Sequence, residues 1–275
     1  MKRGVLLVGV LCAAILVYAQ VQQKRGQTSR VSVSSSGAQA NDLSRSPTIS
    51  ASGRYVAFSS DAHNLVDGDT IYQHSVFLHD RQTGQTSLIS VSSSGVQGNG
   101  ASYNSSITAD GRYVAFHSYA TNLVPGDTNG VADAFVHDRQ TGQTTRVSVS
   151  STGEQGDLNS LSPSISADGR YVAYSSWSSN LVEGESNDRM DVFVYDRQTG
   201  RPSRISVSSG GEPGNGNSEM PSISADGRFV AFHSIASNLV EGDTNDKYDE
   251  FVHDRQTGQT TRASVSSNGE QRSVV

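Results

Sequence analysis

A 58-residue repeat, present four times without insertion or deletion, limits what this chain can fold into. The phrase DRQTG marks the period, because its aspartates are Asp80, Asp138, Asp196 and Asp254. A second phrase, typified by ISADGRYVAF from Ile165, keeps the same step. Self-similarity at this length predicts one supersecondary unit that stacks on copies of itself. Four equal copies favour a scaffold, since an enzyme site needs different residues that converge on one point.

Each repeat has the pattern of four antiparallel strands. In residues 105–151, Asp110-Gly111 predicts a hairpin turn between the first two strands, and RQTG with Gly142 predicts the turn between the last two. The second strand, RYVAF, is apolar on both faces, whereas VSVS in the fourth strand alternates. This decrease in apolarity towards the fourth strand is typical of a β-propeller blade.

The repeat also carries a family resemblance. ISADGRYVAF and FVHDRQTG resemble the TolB-type, WD40-like propeller repeat, whose hallmark is Ser-x-Asp-Gly-(Arg/Lys)-x-(Val/Ile)-Ala-Phe. The match recurs four times in phase over about residues 28–267, although Ser52 replaces the aspartate of the first copy. The small α/β domain that precedes the propeller in TolB has no counterpart here. The resemblance implies an all-β, exported propeller and does not extend to TolB's role at the cell envelope.

The number of predicted blades does not determine how the propeller ring closes. The predicted blades are residues 47–93, 105–151, 163–209 and 221–267, and residues 28–35 are predicted to add one extra N-terminal outer strand. A closed four-bladed ring with a spare strand, an open arc, and half of a dimeric eight-bladed ring all fit this pattern. Residues 268–275 are predicted to form a C-terminal tail.

The N-terminal segment predicts export. Lys2 and Arg3 precede an apolar run that ends near Ala19, so residues 1–19 are expected to be a cleaved signal peptide and 20–27 a linker. An uncleaved anchor is the alternative. The only cysteine, Cys12, lies in this segment, which leaves a secreted or periplasmic chain without thiols. The remaining 19 basic and 27 acidic residues argue against a nucleic-acid partner.

The charges divide between the two ends of the predicted blades. The long loops between second and third strands, together with the links between blades, hold 18 acidic and 3 basic residues. The rest of the exported chain holds 16 basic and 9 acidic residues. We therefore expect an acidic loop face that attracts cations or a basic partner, although charged loops also serve solubility alone.

Three of the long loops share a spacing of oxygen-bearing side chains at positions 1, 3 and 7, which can converge on a hard cation. These candidate metal ligands are Asp127, Asn129, Asp133, Glu185, Asn187, Asp191, Asp243, Asn245 and Asp249. Weak calcium binding is therefore the one cofactor that the sequence suggests. The alternative is that these side chains form turns that bond their own backbone.

The remaining candidates are residues that break the repeat. Tyr119 and Trp177 occupy one equivalent position and predict an aromatic platform for a sugar or peptide on the acidic face, or aromatic packing over the blade. The repeated His–Asp pair, as in His137–Asp138, points its side chains to opposite faces of a strand and is better explained by a structural histidine. No nucleophile elbow, HExxH or Walker motif is present.

Three functions remain from the sequence. The first is an exported, non-catalytic scaffold that binds a protein, or an extracellular glycan or peptide, through its loop faces, with a homodimer as a further option. The second is a calcium-stabilised carbohydrate- or peptide-binding module. The third is a propeller-type lyase or hydrolase, which would need an acid, a base or a metal cluster near the axis.

Overall fold

The computed structural model describes residues 28–68, 73–184 and 188–271. The strands within these ranges all belong to one compact unit, residues 32–275. They are β1 Ser44–Ile49, β2 Tyr55–Ser60, β3 Ser75–Asp80, β4 Gln85–Leu88, β5 Ser102–Ile107, β6 Tyr113–Ser118, β7 Asp133–Asp138, β8 Gln143–Arg146, β9 Ser160–Ile165, β10 Tyr171–Ser176, β11 Asp191–Asp196, β12 Arg201–Arg204, β13 Ser218–Ile223, β14 Phe229–Ser234, β15 Asp249–Asp254 and β16 Gln259–Arg262.

The strands form four antiparallel sheets of four, each in chain order, which confirms the predicted all-β blades. We call them blade 1 (β1–β4), blade 2 (β5–β8), blade 3 (β9–β12) and blade 4 (β13–β16). The hairpins between first and second and between third and fourth strands lie at one end of each blade, the turn end. The long loops and the links between blades lie at the other, the loop end. Within the described ranges, no helix is long and apolar enough to cross a bilayer.

Apolar clusters between consecutive blades form the core. Between blades 2 and 3, Ala115 and Val136 of one face pack against Val172, Tyr174 and Phe193 of the other. Equivalent clusters join blade 1 to blade 2 and blade 3 to blade 4. The second and third strands are therefore covered on both faces, which explains why their sequences are continuously apolar. No pair of strands joins blade 4 to blade 1 to the same extent in the part of the chain that the structure describes.

The fourth strand is shorter than the sequence pattern predicts. In blade 2 it ends at Arg146, although the alternating pattern continues through Val149. Val147 turns inward and is buried between blades 2 and 3, and Val149 forms an isolated bridge with Gln155. This outer hairpin follows every blade, and residues 33–39 form one before blade 1.

The outer hairpins at residues 33–39, 91–97 and 207–213 attach to the outer strand of the blade that follows them. Thr144 of blade 2 donates a 3.0 Å hydrogen bond to Ser93 Oγ and a 2.5 Å hydrogen bond to the carbonyl of Val91. In blade 1, Thr86 bonds Ser35 and Val33 in the same way. Residues 33–35 thus bind the outer strand of blade 1 in the way that the outer hairpin of blade 1 binds the outer strand of blade 2.

The repeated DRQTG phrase is the hairpin turn of the third and fourth strands. Asp138 accepts a bidentate pair of hydrogen bonds from Arg112, at 3.0 and 2.7 Å, and one of 2.9 Å from the amide of Gln140. The next arginine, Arg139, donates to the carbonyl of Gly111 at 2.6 Å and stacks on a tyrosine of the preceding blade. Asp138 therefore joins two hairpins of its own blade, and Arg139 joins that blade to the preceding one. The repetition of the phrase thus has a structural cause.

The repeated histidines are confirmed as hydrogen-bonded structural residues. His137 is buried and its Nδ1 lies 2.9 Å from Thr144 Oγ1, with the same pairing at His79 and His253. Blade 3 replaces both partners at once, with Tyr195 and Pro202. Because the two positions change together, the histidine serves the packing of the outer strands.

Candidate functional site

The acidic loop of blade 2 brings its predicted oxygen ligands together around an arginine. Arg146, at the end of β8, lies 3.2 Å from Asp127 and 3.4 Å from Asp133, and all three side chains are buried. Ser148 donates a 2.5 Å hydrogen bond to Asp133, and Asn129 donates one of 3.1 Å. A guanidinium thus lies where the sequence predicts a cation.

The equivalent cluster recurs in blade 4. Arg262 lies 3.4 Å from Asp243 and 3.5 Å from Asp249. Asn245 donates to Asp249 at 3.4 Å, and Gln271 donates to both carboxylates. Both arginines therefore meet a carboxylate from the long loop and one from the first residue of the third strand.

Blade 3 shows part of the same arrangement. Asp191 accepts a 2.5 Å hydrogen bond from Ser206 and lies 3.9 Å from Arg204. The other two predicted ligands of this loop, Glu185 and Asn187, lie outside the described residues. Across the described ranges, no three His, Cys, Asp or Glu side chains form a group that could hold a metal ion. Calcium binding stays a prediction of the sequence.

Burial dominates the electrostatics of the blade 2 cluster. It raises the pKa of Asp133 to about 6, against the lowering effects of Ser148 and Arg146. It also raises the pKa of Asp127, again against Arg146. The guanidinium opposes the effect of burial on both carboxyl groups and favours their charged forms.

The three cluster arginines also change the charge of the loop end. Arg146, Arg204 and Arg262 lie at the ends of their fourth strands, which reach the loop end. The division of charge in the sequence counts them with the rest of the chain and not with the acidic loop face. Part of the negative charge of the long loops is therefore neutralised inside the blades.

The predicted aromatic residues lie at the surface of the loop end. Tyr119 follows β6 in blade 2 and is 46% exposed, and Trp177 follows β10 in blade 3 and is 36% exposed. Ile235, at the equivalent position of blade 4, is also exposed, as is Leu158 of the link before β9. The amide of Trp177 donates to the carbonyl of Asn159, next to Leu158. Three consecutive blades thus present large apolar side chains, which we call the loop-end apolar set.

Sequence reasoning missed a polar cluster at the loop end of blades 1 and 2. His74 Nδ1 lies 2.8 Å from Asp61 Oδ1, and Arg45 lies 3.6 Å from the other carboxylate oxygen. The ring of His74 packs on Tyr103 of blade 2, with 4.6 Å between centroids, and Tyr103 stacks in turn on His117. The available signal was the break in the repeat, since the positions of His74 and Tyr103 hold other residue types in the other blades.

The pKa shifts of this cluster follow from burial. Burial lowers the pKa of His74 although Asp61 opposes it, and burial raises the pKa of Tyr103. The imidazole and the phenol are therefore both favoured in their neutral forms at neutral pH. Neutral, stacked rings suit a packing role between the blades, with Arg45 left as the exposed charge.

The fold is shared with propellers of known structure. No protein-family model and no curated protein matches the sequence. TolB from Acinetobacter baumannii superimposes with a TM-score of 0.51 and 21% identity, over 84% of this chain and 45% of that one. Prolyl endopeptidases give a TM-score of 0.51 at 12% identity, over 80% of this chain and 29% of theirs. A puromycin-hydrolyzing peptidase of Mycobacterium tuberculosis gives 0.50 at 14% identity, over 82% and 29%.

These likenesses show a TolB-like β-propeller fold. The chain spans less than half the length of the TolB and peptidase chains named above. At identities of 12 to 21%, the shared feature is the stacking of four-stranded blades.

Proposed function

We propose that this protein is an exported, non-catalytic β-propeller that binds a protein, peptide or glycan ligand at the loop end of its blades. The exposure of the loop-end apolar set, Tyr119, Leu158, Trp177 and Ile235, carries the proposal. Tyr119, Trp177 and Ile235 occupy one position of the repeat, where the residue type changes from blade to blade and the side chain is left uncovered. Exposed aromatic side chains within a polar rim are typical of ligand-binding surfaces.

The residues available for chemistry support binding over catalysis. The repeated histidines are held by threonines, the repeated arginines by aspartates, and the buried aspartates by arginines. Each of these groups already has a partner within its own blade, and the histidines and the cluster aspartates are buried as well. The loop-end apolar set, in contrast, has its large side chains at the surface.

The fluorescence of Trp177, the only tryptophan of the chain, should report this binding. We expect at least one member of a panel of neutral oligosaccharides and basic peptides to shift its emission saturably. Tyr119→Ala keeps the reporter and should weaken that binding about tenfold, which corresponds to about 1.4 kcal/mol.

Val96→Ala is the matched control, because Val96 is also exposed but lies on an outer hairpin. It should leave the affinity unchanged. The proposal fails if no member of the panel changes the emission, or if both variants bind equally well.

Export rests on the N-terminal segment, whose residues lie outside those that the structure describes. We expect a chain produced in a secreting bacterial host to appear in the periplasm or medium, lighter by residues 1–19. Intact mass spectrometry of the purified product measures this directly. A full-length mass in the membrane fraction would favour the uncleaved anchor.

A further inference from the structure

Blade 4 ends in a face that is covered in every other blade. Ala57, Ala115 and Ala173 of blades 1, 2 and 3 are fully buried against the following blade, whereas the equivalent Ala231 is exposed. Phe229 of the same face is 39% exposed. This surface continues the series of junctions that hold the blades together, so its natural partner is another blade edge.

The junctions inside the chain show what such a partner must offer. Between blades 3 and 4, the amide of Ser218 donates to the carbonyl of Met190 at 2.7 Å, and the amide of Ile223 donates to Ser164 Oγ at 3.1 Å. At the turn end, the amide of Ala167 donates to the carbonyl of Ala225 at 3.0 Å.

On blade 4, the matching groups are the carbonyl of Tyr248, the hydroxyl of Ser222 and the amide of Ala225. Among the described residues, none of them is bonded to another blade. They are thus positioned to receive the inner strand of a further blade.

Blade 1 offers the matching edge. Nearly all of β1 is exposed, including Ile49 at 58%, and Leu43 just before it is 62% exposed. In the other blades the equivalent inner strands pack on the blade that precedes them. The two ends of the unit are therefore complementary halves of one type of junction.

The stacking of arginine on aromatic rings points the same way. At the three internal junctions an arginine lies over an aromatic ring of the preceding blade: Arg139 over Tyr55 at 4.4 Å, Arg197 over Tyr113 at 4.3 Å and Arg255 over Tyr171 at 4.2 Å. The next ring in the series is Phe229, and the arginine without a preceding ring is Arg81, which is exposed. The series can continue from one copy of the chain to another.

The residues that break the repeat at the two terminal faces complement each other in charge. Tyr103 of blade 2 packs on His74 of blade 1, and by the repeat the residue equivalent to Tyr103 in blade 1 is Arg45. The residue equivalent to His74 in blade 4 is Tyr248, and Glu250 follows two positions later on the same face. A blade 1 edge docked on blade 4 would therefore place Arg45 beside an exposed aromatic ring and an exposed carboxylate.

We propose that two copies of this chain form a dimer in which blade 4 of each copy docks on the β1 edge of the other. The two junctions are equivalent, and together they close a ring of eight blades, within the usual range for propellers. The inference is independent of the ligand surface proposed above, because it concerns the terminal blade faces.

The outer part of blade 1 limits the contact to the inner strands. Residues 33–35 already hold Thr86, so the hairpin of residues 265–271 from the docking copy has no place there. Residues 265–267 must therefore lie elsewhere than residues 91–93 and 207–209, which hold Thr144 and Thr260 of the blades that follow them. The junction is then formed by β13, β14 and β15 of one copy with β1 and the first hairpin of the other.

Charge reversal tests the proposed junction. Glu250→Arg and Arg45→Glu should each raise the dimer dissociation constant of the full chain at least tenfold, because each places like charges at both junctions. The double variant, Glu250→Arg with Arg45→Glu, should restore the dimer. Sedimentation equilibrium or light scattering over a range of protein concentrations measures the mass, and circular dichroism confirms that each variant is folded.

The control pair is Glu241→Arg and Arg201→Glu, two exposed charges away from the terminal faces. These variants should remain dimeric. A monomer or an assembly larger than a dimer in the unmodified chain overturns the proposal. So does a dimer that both single reversals leave intact, or one that the double variant fails to restore.

Discussion

Replacing Gly111 with alanine should destabilise the protein far more than the same change at Gly142. Both glycines have left-handed backbone angles, with φ of 77° and 75°. A Cβ on Gly142 would meet nothing within 4 Å, whereas a Cβ on Gly111 would lie 2.1 Å from Tyr55 Cδ2. We expect a loss of about 1 kcal/mol at Gly142 from backbone strain alone, and about 3 kcal/mol at Gly111, where overpacking is added.

The tyrosine cannot easily move aside. Its ring is held between two guanidinium groups, Arg54 of its own blade at 4.8 Å and Arg139 of the next blade at 4.4 Å. Arg139 is in turn bonded to the carbonyl of Gly111. A shift of the ring therefore disturbs the contact between blades 1 and 2.

Urea unfolding of the two single variants measures the difference in their unfolding free energies. The Tyr55→Ala variant tests whether the tyrosine ring causes that difference. In the Tyr55→Ala background, Gly111→Ala should cost no more than Gly142→Ala, because the clashing ring is gone. Equal losses at the two glycines in the unmodified chain would show that the ring gives way, contrary to this account.

The features that the sequence predicted correctly are those determined within one repeat. The Asp110-Gly111 turn, the DRQTG turn and the buried second strand depend on residues close in the chain, and four copies in phase reinforced each pattern. The blade order followed from the same repetition, since consecutive units pack on one another.

The features that the sequence did not predict depend on contacts between distant positions. Arg146 belongs to the fourth strand by its position in the chain, and only the antiparallel register carries it to the loop end beside Asp133. The pairing of His74 with Tyr103 joins two blades, and no pattern within one repeat contains it. The short fourth strand has a similar cause, because Val147 is drawn into the core between blades 2 and 3.

Replacing Arg146 with methionine should cost about 3–5 kcal/mol of unfolding free energy, the range found when one partner of a buried ion pair is removed. The side chains of Arg146, Asp127 and Asp133 are 7%, 2% and 0% exposed, so water cannot take over the role of the guanidinium. Arg201→Met is the control, because Arg201 lies on an exposed position of a fourth strand and should change stability by less than about 0.5 kcal/mol.

The pH dependence of this loss identifies its cause. Burial already raises the pKa of Asp133 to about 6, and removal of Arg146 should raise it further. A carboxyl group with a raised folded pKa destabilises the protein as pH rises above its unfolded pKa, because the unfolded state then releases its proton more readily than the folded state. Arg146→Met should therefore be milder at pH 5 than at pH 8, and adding Asp127→Asn with Asp133→Asn should recover most of the stability at pH 8.

The same variant decides the question of calcium. In the unmodified chain the guanidinium of Arg146 lies between the carboxylates that calcium would need, so millimolar calcium should leave the unfolding midpoint unchanged. In Arg146→Met the carboxylates and Asn129 are left without a cation, and calcium should then restore part of the lost stability. A calcium-dependent midpoint in the unmodified chain would mean that the arginine yields its place to the ion, and that the loops are metal sites as their spacing predicts.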